Sequence, residues 1–140
     1  MSANDQRRAE QLNPPFSPTA SDWTDLGQDT WAVGPTTATE LFFHDVPEDV
    51  TRWALGRLRP QCYRVMNEIT PLERWPDVPS TYIVCRDDDG INPEWGRAAA
   101  RERLGVEPIE IDGGHSPMLS RPGELARILD ALDVGGTRPA

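Results

Sequence analysis

Thr81-Tyr82-Ile83-Val84-Cys85 is a short, continuous β-prone run rather than an alternating one, and it constrains the fold of this chain more than any other segment. A strand that is apolar at successive positions has two faces to bury, which is the pattern of a parallel sheet covered by helices. The residues after it complete half of a strand–helix–strand unit. Arg86-Asp87-Asp88-Asp89-Gly90-Ile91 is a polar loop, Asn92 is a good N-cap, Pro93 suits the first helical position, and an Ala- and Arg-rich helix runs to Leu104 before Gly105 stops it. Val106 to Ile111 supplies a second strand, with Pro108 pointing to its start or to a sheet edge. Pro122 to Leu132 supplies a last helix through Leu125, Ile128, Leu129 and Leu132. The expected class is α/β, with the two strands parallel through a right-handed crossover.

The rest of the chain is less regular. With 140 residues, 25 of them Gly or Pro, there is room for one modest domain. Residues 1–22 are Ser, Asn, Gln, Pro and charge around Leu12 and Phe16, too little apolar surface to offset the entropy of ordering, so this head is expected to be disordered, as is the tail 134–140. Trp31-Ala32-Val33-Gly34-Pro35 reads as a short extended piece closed by a Gly-Pro turn. Asp45 and Glu48 have capping-box spacing, Pro47 lies in the first turn, and Val50, Trp53, Ala54 and Leu58 recur with helical period, which predicts a helix from about Val46 to Leu58. Pro60 to Pro79 form a partly helical connector, and Trp53, Trp75 and Trp95 are read as core or cap packing.

Composition excludes several functions. All 14 basic residues are Arg, set against 23 carboxylates for a net charge of −9, which repels nucleic-acid backbones and anionic lipid. No run approaches 18 apolar residues and no signal-peptide pattern opens the chain, so a cytoplasmic protein is expected, with Cys62 and Cys85 as reduced thiols. Neither cysteine belongs to a zinc set, and the triple Asp lacks the alternation of a calcium loop, so no metal or cofactor is expected. The chemistry that remains sits in two loops after the strands: Arg86 to Gly90, and Asp112-Gly113-Gly114-His115-Ser116-Pro117. Chemistry in open α/β sheets gathers at the carboxyl ends of strands. A carboxylate after one strand and a histidine after the next is an arrangement in which the acid orients the imidazole and stabilises the imidazolium.

Thr81 to Asp89, followed by Gly113-Gly114-His115-Ser116-Pro117-Met118-Leu119-Ser120-Arg121-Pro122-Gly123-Glu124-Leu125-Ala126, resembles the C-terminal part of the α/β-hydrolase fold, in its plant-esterase and hydroxynitrile-lyase-like branch. The resemblance covers about residues 31 to 132 and is most specific in the Gly-His-Ser-Pro-Met-Leu-Ser-Arg-Pro run. It implies a partial α/β-hydrolase fold: a cap-like helical region and connector over residues 23–78, and a C-terminal βαβα section over 79–133 with two parallel strands and flanking helices. It also implies Asp88 as the catalytic acid, His115 as the base and Cys85 as the strand-end residue. The departure is equally specific. None of the serines Ser2, Ser17, Ser21, Ser80, Ser116 and Ser120 lies in a Gly-x-Ser-x-Gly elbow, and no oxyanion loop of the His-Gly type is present. Ser116 adjoins His115, an arrangement in which nucleophile and base rarely meet.

Blander readings stand beside these. The three aspartates read equally as a solvated loop, with Asp89 the rival of Asp88 for the imidazole; His115 as a turn residue; His44 as a surface or packing histidine; Asp45 as a helix cap; Cys85 as an inert thiol. Three functions follow: a truncated or split serine-esterase-type hydrolase, inactive alone; half of an enzyme completed by a complementary chain, acting on a small ester-like substrate; or a non-catalytic interaction module. In each, the strand Thr81 to Cys85 has only one partner strand following it, so Trp23 to Val33 is expected to cover its other edge, or a second copy to pair across it as a homodimer, or the protein to be loose.

Overall fold

The computed structural model describes residues 22–62, 64 and 76–132. The expected disordered segments, apart from Asp22, lie outside these residues, as do Trp75 and most of the connector.

Strands β1 (Trp23–Asp25) and β2 (Thr30–Val33) form an antiparallel hairpin with Trp23 opposite Val33 and Asp25 opposite Trp31, and β3 (Gln61–Cys62) pairs with the far side of β2. The hairpin loop is closed by a bond from the Leu26 N–H to the Thr30 carbonyl at 2.8 Å and by the Gly27 N–H on Asp25 Oδ1 at 2.7 Å. This corrects the expectation for Trp23 to Val33. The segment spends its ladder groups on itself and on β3, and it covers no edge of the second sheet.

Gly34-Pro35 likewise opens a helix instead of closing a turn. Pro35 is the first residue of α1 (Pro35–Phe42), where a missing N–H costs nothing. Gly34 has no side chain to cap the helix, so the cap arrives from Asp22, whose two carboxylate oxygens accept from the Thr36 and Thr37 amides at 3.1 and 2.9 Å. The Thr37 hydroxyl and these amides hold the Asp22 carboxyl below its ordinary value.

Helix α2 (Glu48–Leu55) is shorter than its period predicts and begins after Pro47 with no side-chain cap. Glu48 and Asp49 in its first turn face the positive helix end. The capping box on Asp45 does not form, because the Asp45 carboxylate is used by a distant loop. Thr51 and Ala54 make the buried face, with the Thr51 hydroxyl donating to the Val46 carbonyl at 3.2 Å. Trp53 lies beside that stripe, 52% exposed with the Arg57 guanidinium 4.1 Å over its ring, so it is not a core residue. Ala38, Phe43, Val46 and Ala54 form the core of this region, joined by Val33, Val50, Leu58 and Leu119.

The second sheet is the α/β part. β4 (Ile83–Cys85) pairs in parallel with β5 (Ile109–Ile111), Ile83 beside Ile109 and Cys85 beside Ile111. Between them, α3 (Pro93–Ala99) is capped by Asn92 Oδ1, which accepts from the Glu94 and Trp95 amides at 2.8 and 3.3 Å. A π-helical turn over Ala100–Leu104 extends it to Gly105, which ends it at φ 67°, a left-handed conformation open to glycine. Arg97 of α3 grips Glu110 of β5 through two nitrogens at 2.9 and 3.0 Å, and Arg86 reaches the same carboxylate from the end of β4 at 2.9 Å. After β5 come a short helix the sequence did not announce, α4 (Pro117–Ser120), and α5 (Pro122–Ala131). Leu125 and Ile128 of α5 are half-buried and Leu129 is exposed, so its apolar stripe is only partly covered. Among the described residues β4 has one neighbour, β5.

Candidate active site

Parallel pairing sends the chain out of β4 and β5 at the same rim. The ladder continues one step past the strands, with the Arg86 N–H on the Ile111 carbonyl at 3.0 Å. Asp87 then ties the two loops in both directions: its N–H donates to the Gly113 carbonyl at 3.1 Å, and its Oδ2 accepts from the Gly113 N–H at 3.2 Å. The next residue, Asp88, therefore faces into the base loop. Asp88 Oδ1 accepts from the Gly90 and Ile91 amides, both at 2.8 Å, which fixes the carboxylate plane. His115 Nδ1 lies 3.0 Å from Oδ1 and 3.1 Å from Oδ2. Carboxylate oxygens only accept, so Nδ1 carries a proton, and in the neutral imidazole Nε2 keeps its lone pair.

Asp88, rather than Asp87 or Asp89, faces the imidazole. Its side chain is 13% exposed and that of His115 31%, and the Phe42 ring packs against the imidazole with centroids 5.1 Å apart. Asp89 points to solvent, its Oδ2 3.7 Å from His44 Nε2. Both members of the pair line a groove of about 310 Å³ whose other walls include Ile83, Val84, Ile91 and Met118. The groove runs along β4 and has the mostly apolar character of a small-molecule site with a few convergent polar groups.

Two further candidates remain, of which Cys85 lines the same groove. Cys85 is buried, and burial, with the charges of Asp88 and Asp45 adding, pushes its thiol up to about 11. Ser116 is buried at the start of α4 and caps nothing. Among the described residues no three His, Cys, Asp or Glu side chains are placed to hold a metal ion, and no helix is long and apolar enough to cross a membrane.

Sequence reasoning missed two consecutive residues at the site. His44 Nε2 donates to the Asp87 carbonyl at 2.9 Å, and Asp45 Oδ2 accepts from the Gly114 N–H at 2.9 Å. Burial raises the Asp45 carboxyl, but Gly114, the Ser120 hydroxyl and His44 outweigh it and hold it below its ordinary value. The only sequence signal was a His-Asp pair with no helical role to absorb both residues. The contacts span 43 and 69 residues, beyond any local pattern.

Residues 2–128 match the Alpha/beta hydrolase family. A curated relative, alpha/beta hydrolase nvfD of Aspergillus novofumigatus (strain IBT 16806), is 27% identical over 92 residues, 64% of this chain and 36% of nvfD. Among solved structures, a mutant of polyneuridine aldehyde esterase superposes with a TM-score of 0.68 at 20% identity, over 93% of this chain and 53% of that one. The methylesterase protein MES16 from Arabidopsis gives a TM-score of 0.66 at 21% identity, over 86% of this chain and 54% of that one. The chain thus spans about half the length of these esterase structures and about a third of the curated relative.

Proposed function

This chain belongs to the alpha/beta hydrolase family, and on that premise we propose that Asp88 and His115 are the acid and base of serine-esterase-type acyl hydrolysis whose nucleophile comes from polypeptide outside these 140 residues. One observation carries this reading: the Asp88–His115 bond at 3.0 Å, formed at the ends of adjacent parallel strands on the wall of an apolar groove. With its Nδ1 proton on Asp88, the imidazole takes the hydroxyl proton of an attacking serine at Nε2. The imidazolium that forms is stabilised by the carboxylate and returns the proton to the departing alkoxide, after which water repeats the cycle on the acyl-enzyme. The ester carbonyl carbon gains one oxygen and loses another, and no redox partner or cofactor enters. Cys62 and Cys85 are free thiols, and the reading places the reaction in the cytoplasm.

Purified alone, the chain is expected to hydrolyse short activated esters no faster than background and to escape labelling by fluorophosphonates. Labelling that vanishes in Ser116→Ala would overturn the reading, since it would place the nucleophile within the chain.

A second reading is favoured by β4, which pairs with β5 alone among the described residues and lines the groove. Here a complementary chain adds a strand to β4 and brings a Gly-x-Ser-x-Gly elbow to the rim. Mixing the protein with a polypeptide that carries such an elbow is then expected to restore ester hydrolysis, and His115→Ala in the mixture to reduce it roughly 10⁶-fold. Sedimentation and hydrogen exchange on the chain alone separate this from self-pairing. A concentration-independent monomer with protected Ile83 and Val84 amides and no strand on the free side of β4 would count against both.

A further inference from the structure

We infer that His44 and Asp45 form a clip, built from consecutive residues of the segment between α1 and α2, that sets the position of His115 on Asp88. His44 holds the loop that bears the acid, through the Asp87 carbonyl at 2.9 Å. Asp45 holds the loop that bears the base, through the Gly114 N–H at 2.9 Å. Asp87 immediately precedes Asp88, and Gly114 immediately precedes His115. Each half of the clip therefore fixes the peptide adjoining one member of the pair, and the two halves cannot move apart because one peptide bond joins them.

Four further observations belong to the same device. The clip's own base is rigid: the flanking Phe43 and Val46 are buried in the core of α1 and α2, and the Val46 N–H donates to the Phe43 carbonyl at 3.0 Å across His44 and Asp45. The base loop is shaped to receive it, since a Cβ on Gly114 would stand 2.9 Å from Asp45 Oδ1 and 3.0 Å from His44 Cε1, closer than side chains tolerate. Among the described residues Asp45 Oδ1 is buried and makes no hydrogen bond, the Gly114 bond being on Oδ2. Phe42, one residue further back, packs on the imidazole itself at 5.1 Å. The segment between α1 and α2 thus reaches both loops. It registers the acid loop against the base loop.

This rests on the reading of Asp88 and His115 as acid and base, and its test is chosen to report geometry rather than turnover. The chain has only two histidines, His44 and His115, so nitrogen-15 labelling of histidine resolves both in the 140-residue chain. The probe is the His115 Nδ1–H proton, shifted downfield and slowed in exchange by its bond to Asp88; Asp88→Asn identifies it by abolishing the shift. His44→Phe and Asp45→Ala are expected to lose the signal, whereas His44→Gln, which keeps an N–H for Asp87, and Asp45→Asn, which keeps an oxygen for Gly114, are expected to retain it. A merely structural role would lower thermal stability in His44→Phe while leaving the proton in place. Retention of the signal in both His44→Phe and Asp45→Ala overturns the inference. If Asp45→Ala fails to fold, the exposed His44 pair of variants decides alone. Absence of ester hydrolysis in a reconstituted enzyme would count against the acid–base reading and leave this geometric result unchanged.

Discussion

Gly90 and His115 approach so closely that a methyl group on Gly90 would lie 2.9 Å from the imidazole Nδ1 and 3.3 Å from Asp88 Oδ1. The bond between Asp88 and His115 needs a glycine at its shoulder, because the loop that carries the acid folds back over the imidazole to donate the Gly90 amide. Gly90→Ala is therefore expected to push His115 off Asp88 and to cost roughly 1–3 kcal/mol of stability, the usual effect of overpacking a fixed site. Denaturant unfolding measures the second quantity and the His115 Nδ1–H resonance the first. An alanine variant with unchanged resonance and midpoint would show that the loop yields easily.

Glu110 carries a pH prediction. The Arg97 and Arg86 guanidiniums pull its carboxyl from 4.5 down to about 2. Because the folded value lies below the unfolded one, its contribution to stability is complete above about pH 4.5 and is lost as the pH falls towards 2. Glu110→Gln is expected to melt below the parent at pH 7 and to converge with it near pH 2, where the parent residue is itself neutral. Thermal melts of both proteins across this range check the sign. A gap that widened on acidification would refute it.

Cys85 ends β4 three residues before Asp88, and its thiol is raised from 9.0 to about 11 by burial and by the charges of Asp88 and Asp45. The attacking species in alkylation is the thiolate, so iodoacetamide at neutral pH should modify Cys85 on the order of 100-fold more slowly than an unperturbed thiol, before counting its poor access. Mass spectrometry of the native protein after limited alkylation reads this directly. Rapid modification of Cys85 would mean that β4 opens, or that the thiol has a charged partner other than these carboxylates.

What the sequence by itself determined lies within a few residues of its cause. Asn92 and Pro93 start α3, Gly105 ends it, and the apolar runs around Ile83 and Ile109 become parallel strands, because caps, turn conformations and side-chain periodicity act over single turns of chain. Parallel pairing then brings the two loops to one rim, so the loops could be named together; the family resemblance singled out Asp88 among the three aspartates, 27 residues from His115. The tertiary structure decided every case in which a polar group had more than one claimant. Asp45 had the spacing to cap α2, yet its carboxylate goes to Gly114, 69 residues away, and Pro47 begins the helix uncapped. Asp22 caps α1 from 14 residues upstream because Gly34 offers no side chain, and Pro35, which reads as the close of a turn, becomes the first residue of that helix. Trp23 to Val33 found its partner strand in Gln61-Cys62 rather than in β4. Local chemistry names the acceptors and donors that a segment owns; which of them meet depends on packing that closes only when distant segments share one core.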